Sequence, residues 1–352
     1  MTEKKTKYIK VDPADSAGCV IAEAAEIIRA GGLVAFPTET VYGLGANALD
    51  PEAIKAIFRA KGRPADNPLI VHLAEISQVY DLAEDITVPA QRVMEVFWPG
   101  PLTLVLPKKT TVPREVTAGL NTVAVRMPDH PVALELIRSA GVPVAAPSAN
   151  SSGKPSPTTA HHVLEDLDGK IDAVVDGGVC RVGLESTVLD MTAEPPVILR
   201  PGGITREDIE GVIGYVAFDS GSVGTEVTEV PKSPGMKYTH YSPRAEVIVV
   251  TGDNFGKIFE RVTQLLDEYR PEKKVGVLAS SETVKGYTAD GIFTLGSRDN
   301  LETVARNLFH GLRSLDEQQM DLIIAEGYPE TGIGAAIMNR LNKSSGYNVI
   351  YV

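Results

Sequence analysis

The sequence predicts an α/β protein of two domains, the first on a twisted mixed sheet and the second, smaller, on a Rossmann-like parallel one. Three observations carry that expectation. Short apolar, β-prone runs alternate with segments of helical period along most of the chain. At 352 residues the chain is too long for one ordinary core. Between about Asp219 and Arg244, Gly, Ser, Thr and Pro dominate and no apolar periodicity survives, so 219–244 reads as a linker between domains spanning 1–218 and 245–352.

Taken in order, Ser16 can cap a helix whose apolar positions Val20, Ala24, Ile27 and Ile28 share a face, with Gly31-Gly32 ending it. A short strand, Leu33 to Phe36, follows. Asp50-Pro51-Glu52 starts the next helix, with Asp at the N-cap and Pro at the first helical position; Ile54, Ile57 and Phe58 are its buried stripe and Gly62 stops it. Lys61 and Arg63 then lie at its exit. Strands are expected at Leu69 to Leu73, Leu102 to Leu106, Thr122 to Met127 and Val142 to Ala146, with helices near Ala90 to Phe97 and Pro131 to Ala140. Further strand-like runs occur at Ala173 to Val175, Ser186 to Leu189 and Val197 to Leu199.

From Ala245 the alternation is cleaner. Strands at Val247 to Val250, Val275 to Leu278, Ile292 to Leu295 and Leu322 to Ala325 enclose helices at Phe255 to Tyr269 and Leu301 to Leu315, and a last helix spans Ala335 to Leu341.

With 43% hydrophobic and 23% charged residues the composition is that of an ordinary globular protein. A formal charge of −12 argues against a chain-wide nucleic-acid footprint, which needs clustered Lys and Arg. Cys19 and Cys180 are too few for a disulfide framework and lack the spacing of a structural zinc site. The charged N-terminus is no secretory signal, and no run of about 18 apolar residues is present to span a membrane. A cytoplasmic protein is expected.

Two polar clusters sit on turns between apolar elements, where a rigid scaffold aims side chains at a ligand. One runs from Phe36 to His72: Phe36-Pro37-Thr38-Glu39-Thr40-Val41-Tyr42-Gly43-Leu44-Gly45, then Lys61-Gly62-Arg63-Pro64, Asn67-Pro68 and His72. The other, Ala146-Pro147-Ser148-Ala149-Asn150-Ser151-Ser152-Gly153-Lys154-Pro155-Ser156-Pro157, follows a strand directly and offers many donors to phosphate oxygens. Lys61, Arg63, Arg126, Lys154, Arg181 and Arg200 place six cations in or beside such motifs in an acidic chain. A surface salt bridge explains any one of them, but six beside turns poorly. Both clusters thus suit a small anionic ligand.

Other patterns are weaker. Gly43-x-Gly45-x-x-Ala48 imitates a dinucleotide fingerprint, but the next helix starts too late to meet a pyrophosphate. Ser151-x-x-Lys154 lacks the companion motifs of serine acyl-enzymes. His161-His162 would point about 100° apart on a helix, which suits a solvated or cap-proximal pair better than metal ligation. Trp98 before Pro99-Gly100-Pro101 reads as core packing at a helix end.

The Pro37–Gly45 motif, Lys61-x-Arg63, Ser148-x-Asn150 and the turn Leu199-Arg200-Pro201-Gly202, in this order, resemble the YrdC-type threonylcarbamoyl-AMP synthase family. The tyrosine-bearing linker Ser233 to Arg244 and the extra α/β domain resemble its longer, two-domain branch, so the likeness covers essentially the whole chain. The resemblance implies that L-threonine, bicarbonate and ATP, the last with Mg2+, give L-threonylcarbamoyladenylate and pyrophosphate. The product would pass to a threonylcarbamoyl-transferase machinery that modifies adenosine 37 of tRNA, with tRNA met at most indirectly.

By the same resemblance Thr40, His72, Arg126, Ala146 and Ser186 surround threonine, Arg126 pairing its carboxylate. Arg63, Asn67, Thr122, Ser148, Asn150, Ser156 and Arg200 hold ATP, and Tyr238, His240 and Tyr241 close over the nucleotide from the linker. Lys61 and Arg63 are the expected phosphate-neutralising pair, and no metal ligand is expected from a protein side chain. Two rivals come from the same relatives: an RNA-binding module, opposed by the acidic charge, and a carbamoyl-adenylate-forming maturation enzyme, opposed by the scarcity of cysteine.

Overall fold

The computed structural model describes residues 5–11, 18–219 and 241–352. They divide into two compact units, one of 5–11, 18–152, 156–181 and 185–219, the other of 153–155, 182–184 and 241–352. Ser16 and most of the expected linker lie outside the described residues.

The strands of the first unit are β1 (Lys7–Lys10), β2 (Val34–Phe36), β3 (Gly43–Asn47), β4 (Ile70–His72), β5 (Leu102–Pro107), β6 (Thr122–Arg126), β7 (Val144–Ala145), β8 (Ala173–Asp176), β9 (Thr187–Asp190), β10 (Val197–Arg200) and β11 (Ala217–Phe218). Its helices are α1 (Gly18–Arg29), α2 (Pro51–Lys61), α3 (Val79–Leu82), α4 (Val88–Phe97), α5 (Pro131–Ala140), α6 (Ala160–Leu167) and α7 (Arg206–Ile213). The strands join one sheet in the order β1-β8-β2-β3-β7-β4-β6-β5-β9-β10-β11. Parallel pairs such as β8 with β2, β4 with β6 and β5 with β9 alternate with antiparallel ones, β3 with β2 and β7, β5 with β6. The sheet is mixed, as expected.

Side chains on a strand point alternately to its two faces, and here both faces are buried. Val34 and Phe36 join a cluster with Ile21, Ala24 and Ile28 of α1 and Leu136 and Ile137 of α5. Ala35, between them, joins Tyr42, Ile54, Ile57, Phe58 and Trp98. The helix ends follow local chemistry: Asp50 Oδ1 accepts from the amides of Glu52 (2.9 Å) and Ala53 (3.3 Å), and Gly62 closes α2 in the left-handed region at φ 63°. Trp98 is core, its Nε1 donating to the Leu102 carbonyl at 2.7 Å.

Two expectations need correction. The buried stripe of α1 is Ile21, Ala24, Ala25 and Ile28, while Val20 is 39% exposed; the doublets Ala24-Ala25 and Ile27-Ile28 fit either of two stripes one position apart. Gly43–Asn47 is a strand rather than part of a turn. Small residues with little β-propensity hide it, and close packing requires them: a Cβ on Gly45 would lie 2.7 Å from Phe36 Cε1 and 2.9 Å from Val144 Cγ1.

In the second unit β12 (Glu246–Thr251), β13 (Val275–Ser280), β14 (Gly291–Gly296), β15 (Leu322–Glu326) and β16 (Val349–Tyr351) are interspersed with α8 (Phe255–Tyr269), α9 (Leu301–Glu317) and α10 (Ile333–Ser344), with no α-helix between β13 and β14. Their order is β14-β13-β15-β12-β16, every pair parallel, with β16 the strand not expected. Ile248, Val250, Val262, Leu265, Val277 and Ile324 build its core. Among the described residues no helix is long and apolar enough to cross a membrane.

Candidate active site

The turn between β2 and β3 is built by its own side chains. Thr38 Oγ1 accepts from the amides of Thr40 and Val41, both at 3.2 Å, and donates to the Val41 carbonyl at 2.6 Å. That leaves Thr40 Oγ1 2.8 Å from the Thr38 hydroxyl and in reach of Arg126, whose Nη1 donates to it at 2.9 Å. Arg126 Nε donates to the Gly100 carbonyl at 3.3 Å, and Nη2 lies 2.6 Å from Glu39 Oε1, with side chains 4% and 1% exposed.

Sheet register gathers the rest of the expected threonine group. His72 ends β4 opposite Arg126 on β6 and Val144 on β7, and the Ala146 amide donates to the Ile70 carbonyl at 2.9 Å. Ser186 precedes β9; its hydroxyl lies 2.8 Å from that of Thr103 on β5, a strand paired with both β6 and β9. Arg200 donates to Ser186 through Nε to the carbonyl (3.0 Å) and Nη2 to the hydroxyl (3.1 Å).

The loop after β7 is stitched along β3. Leu44 N donates to the Pro147 carbonyl, Ala149 N to that of Tyr42, and Tyr42 N to that of Pro157, each at 2.8 Å. Lys61 is only 4% exposed; its Nζ donates to the carbonyls of Ser148 (2.5 Å) and Asn150 (2.6 Å) and to Asn150 Oδ1 (3.3 Å). Ser148 Oγ donates to the same Oδ1 at 2.5 Å, and the Ser156 hydroxyl is bound to the Glu185 carboxylate. Arg63 stands over the Phe58 ring at 5.9 Å, with Nη2 3.4 Å from the Asn67 carbonyl. Asn67 is fully buried, yet neither side-chain polar atom has a hydrogen-bond partner among the described residues. Buried amides are normally satisfied, so this one suits a ligand that supplies the missing bonds.

Other expected residues fall elsewhere. Thr122 begins β6, four residues and about 13 Å along the strand from Arg126. Arg181, 69% exposed, pairs with Asp129 at 2.6 Å. Tyr238 and His240 lie outside the described residues, and Tyr241 is buried in the second unit with its ring 5.1 Å from that of Phe309. His161 is exposed beside Glu165, and His162 is buried with Nδ1 accepting from Thr158 N at 3.3 Å. Glu39 and Thr103 carried no expectation. Glu39 stands inside the first motif but is an anion in a site read for anions; Thr103, inside an apolar strand, leaves no mark in the sequence.

Burial, then the Arg126 charge, pushes His72 down to about 3, and its Nδ1–H faces the Ile70 carbonyl at 3.2 Å. The imidazole is therefore neutral at physiological pH. The folded state does not take up the proton that the unfolded chain binds below about 6.5, so stability is lost as pH falls, by roughly 1.4 kcal/mol per unit between about 6.5 and 3. Denaturant unfolding of wild type and His72→Asn between about pH 7 and 5 should show that extra slope in wild type alone; equal slopes would refute it. Burial pushes the Cys180 thiol up, which suits a core residue and no nucleophile.

A family model named for Sua5, YciO and YrdC and described as "Telomere recombination" matches residues 26–202, and one described as "Threonylcarbamoyl-AMP synthase, C-terminal domain" matches 204–346. The threonylcarbamoyl-AMP synthase of Pyrococcus abyssi is 56% identical over 330 residues, 94% of this chain and 95% of that one. That of Bacillus subtilis is 53% identical over 351 residues, 98% and 99% of the two chains. The crystal structure of P. abyssi Sua5 complexed with L-threonine matches with a TM-score of 0.93 at 53% identity, covering 99% of both chains. The fold and the relatives define a two-unit α/β enzyme that uses ATP and transfers its adenylyl group. The chain belongs to the threonylcarbamoyl-AMP synthase family, as its motifs suggest.

Proposed function

We propose that the chain converts L-threonine, bicarbonate and ATP to L-threonylcarbamoyladenylate, pyrophosphate and water within the domain of residues 1–218. The P. abyssi relative crystallised with L-threonine supports the amino acid. The observation that carries the reading is Arg126: a buried guanidinium fixed by Thr40 and Gly100 beside His72. Such a fork suits a carboxylate. Thr40, His72, Ala146 and Ser186 complete the threonine pocket around it.

Threonine's nitrogen joins the bicarbonate carbon with loss of water, and a carbamate oxygen then attacks the α-phosphorus of ATP and expels pyrophosphate. Anion meets anion in that step, so cations and aimed donors must screen both. Arg63 and Arg200 supply charge; Asn67, Thr122, Ser148, Asn150 and Ser156 supply polar contacts to the nucleotide. Lys61, held on the Ser148 and Asn150 carbonyls, orders that loop and adds its charge behind it. Tyr238 and His240 of the 219–244 linker complete the nucleotide site, and residues 245–352 carry no chemistry of their own.

Mg2+ would enter with ATP as part of that substrate and would neutralise phosphate charge. The enzyme works in the cytoplasm and hands its product to a threonylcarbamoyl transferase acting on tRNA, which it meets at most indirectly. Pyrophosphate release from ATP tests the reading: it should require threonine and bicarbonate together. Release with either alone would overturn it.

A further inference from the structure

Glu39 is a buried carboxylate to which the reading above gives no role. Among the described residues its oxygens and Arg126 Nη2 have no aligned hydrogen bond, although Nη2 and Oε1 are 2.6 Å apart. A structural buried ion pair compensates desolvation with good geometry and further hydrogen bonds, and this carboxylate has neither. Arg126 does not depend on it for position: Nη1 is bound to Thr40 Oγ1 and Nε to the Gly100 carbonyl. The Glu39 backbone is fixed in turn by the Thr38 hydroxyl, which holds the amides of Thr40 and Val41. The other titratable groups that face Glu39 are His130, held toward its neutral form chiefly by burial, and the Cys180 thiol. Two fixed, opposite, desolvated charges thus stand side by side.

From this geometry we infer that Glu39 receives the α-ammonium of the amino-acid substrate. The Glu39–Arg126 pair stands in for the zwitterion: the substrate carboxylate takes Arg126 and its ammonium, with three donors, takes the carboxylate oxygens that lack them. Every buried charge then keeps a counter-charge in both states, so binding leaves none uncompensated. The inference rests on Arg126 as the carboxylate receptor and adds a filter. Acids without the ammonium, and amino acids whose nitrogen is acylated, are poorly bound.

Calorimetric titration of the full chain, wild type and Glu39→Gln, with L-threonine and with 3-hydroxybutyrate, its analogue without the amine, separates the possibilities. Glu39→Gln should weaken threonine by about 10- to 100-fold and leave 3-hydroxybutyrate unchanged, with ATP affinity intact. Equal weakening of both acids, or undiminished threonine binding, would overturn the inference and leave the Arg126 reading standing. Wild type binding neither acid would remove both. Where Glu39→Gln does not fold, Glu39→Asp, which keeps the charge but withdraws it by one methylene, must still weaken threonine selectively.

Discussion

Replacing Arg126 with glutamine is expected to destabilise the protein by about 3–5 kcal/mol and to remove threonine-dependent pyrophosphate release. The stability term comes from Glu39, left buried at 1% exposure without the guanidinium 2.6 Å away. A pair at the surface sets the contrast: Arg181→Gln, which breaks the exposed contact with Asp129, should cost about 0–1 kcal/mol. Arg126→Lys should not restore activity, because an ammonium cannot reproduce the fork that meets Thr40 Oγ1, the Gly100 carbonyl and a carboxylate together. Denaturant unfolding and the KM for threonine, with the KM for ATP as control, check both parts. A variant within about 1 kcal/mol of wild type with an unchanged threonine KM would refute the argument.

How much of this was legible depends on the range of the interaction that decides each feature. The ends of α2 follow from residues within one turn, Asp50, Pro51 and Gly62, and the spans expected for α5 and α8 agree with the structure for the same reason. β3 was not legible, because Gly43 and Gly45 are chosen by the approach of Phe36, Val144 and Ala146 rather than by strand propensity. The site divides likewise. Thr40, His72, Arg126 and Ser186 stand in recognisable motifs, but only the pairing of His72 with Arg126 and the contact of Ser186 with Thr103 across 83 residues bring them together. At the exit of α2, Lys61 read as a cation presented to phosphate; its burial is set by carbonyls 87 and 89 residues further on.

That burial makes Lys61→Met the sharpest test of the nucleotide half of the site. Methionine fills much of the space and removes the ammonium from three acceptors on the Ser148–Asn150 loop. Each buried acceptor that loses a charged donor costs about 1–3 kcal/mol unless the loop moves to find another. Movement of the loop to find another donor displaces the Ser148 and Asn150 side chains proposed to meet ATP. Activity should therefore fall by about 10²- to 10³-fold, the scale of losing an aimed electrostatic group, while threonine affinity, proposed to be set around Arg126, stays near wild type. Lys61→Arg should recover little, because a planar guanidinium cannot address three acceptors gathered round a point charge. If Lys61 acted only as a mobile cation toward phosphate, arginine would serve nearly as well, and substantial recovery by Lys61→Arg would rule out a role through the loop.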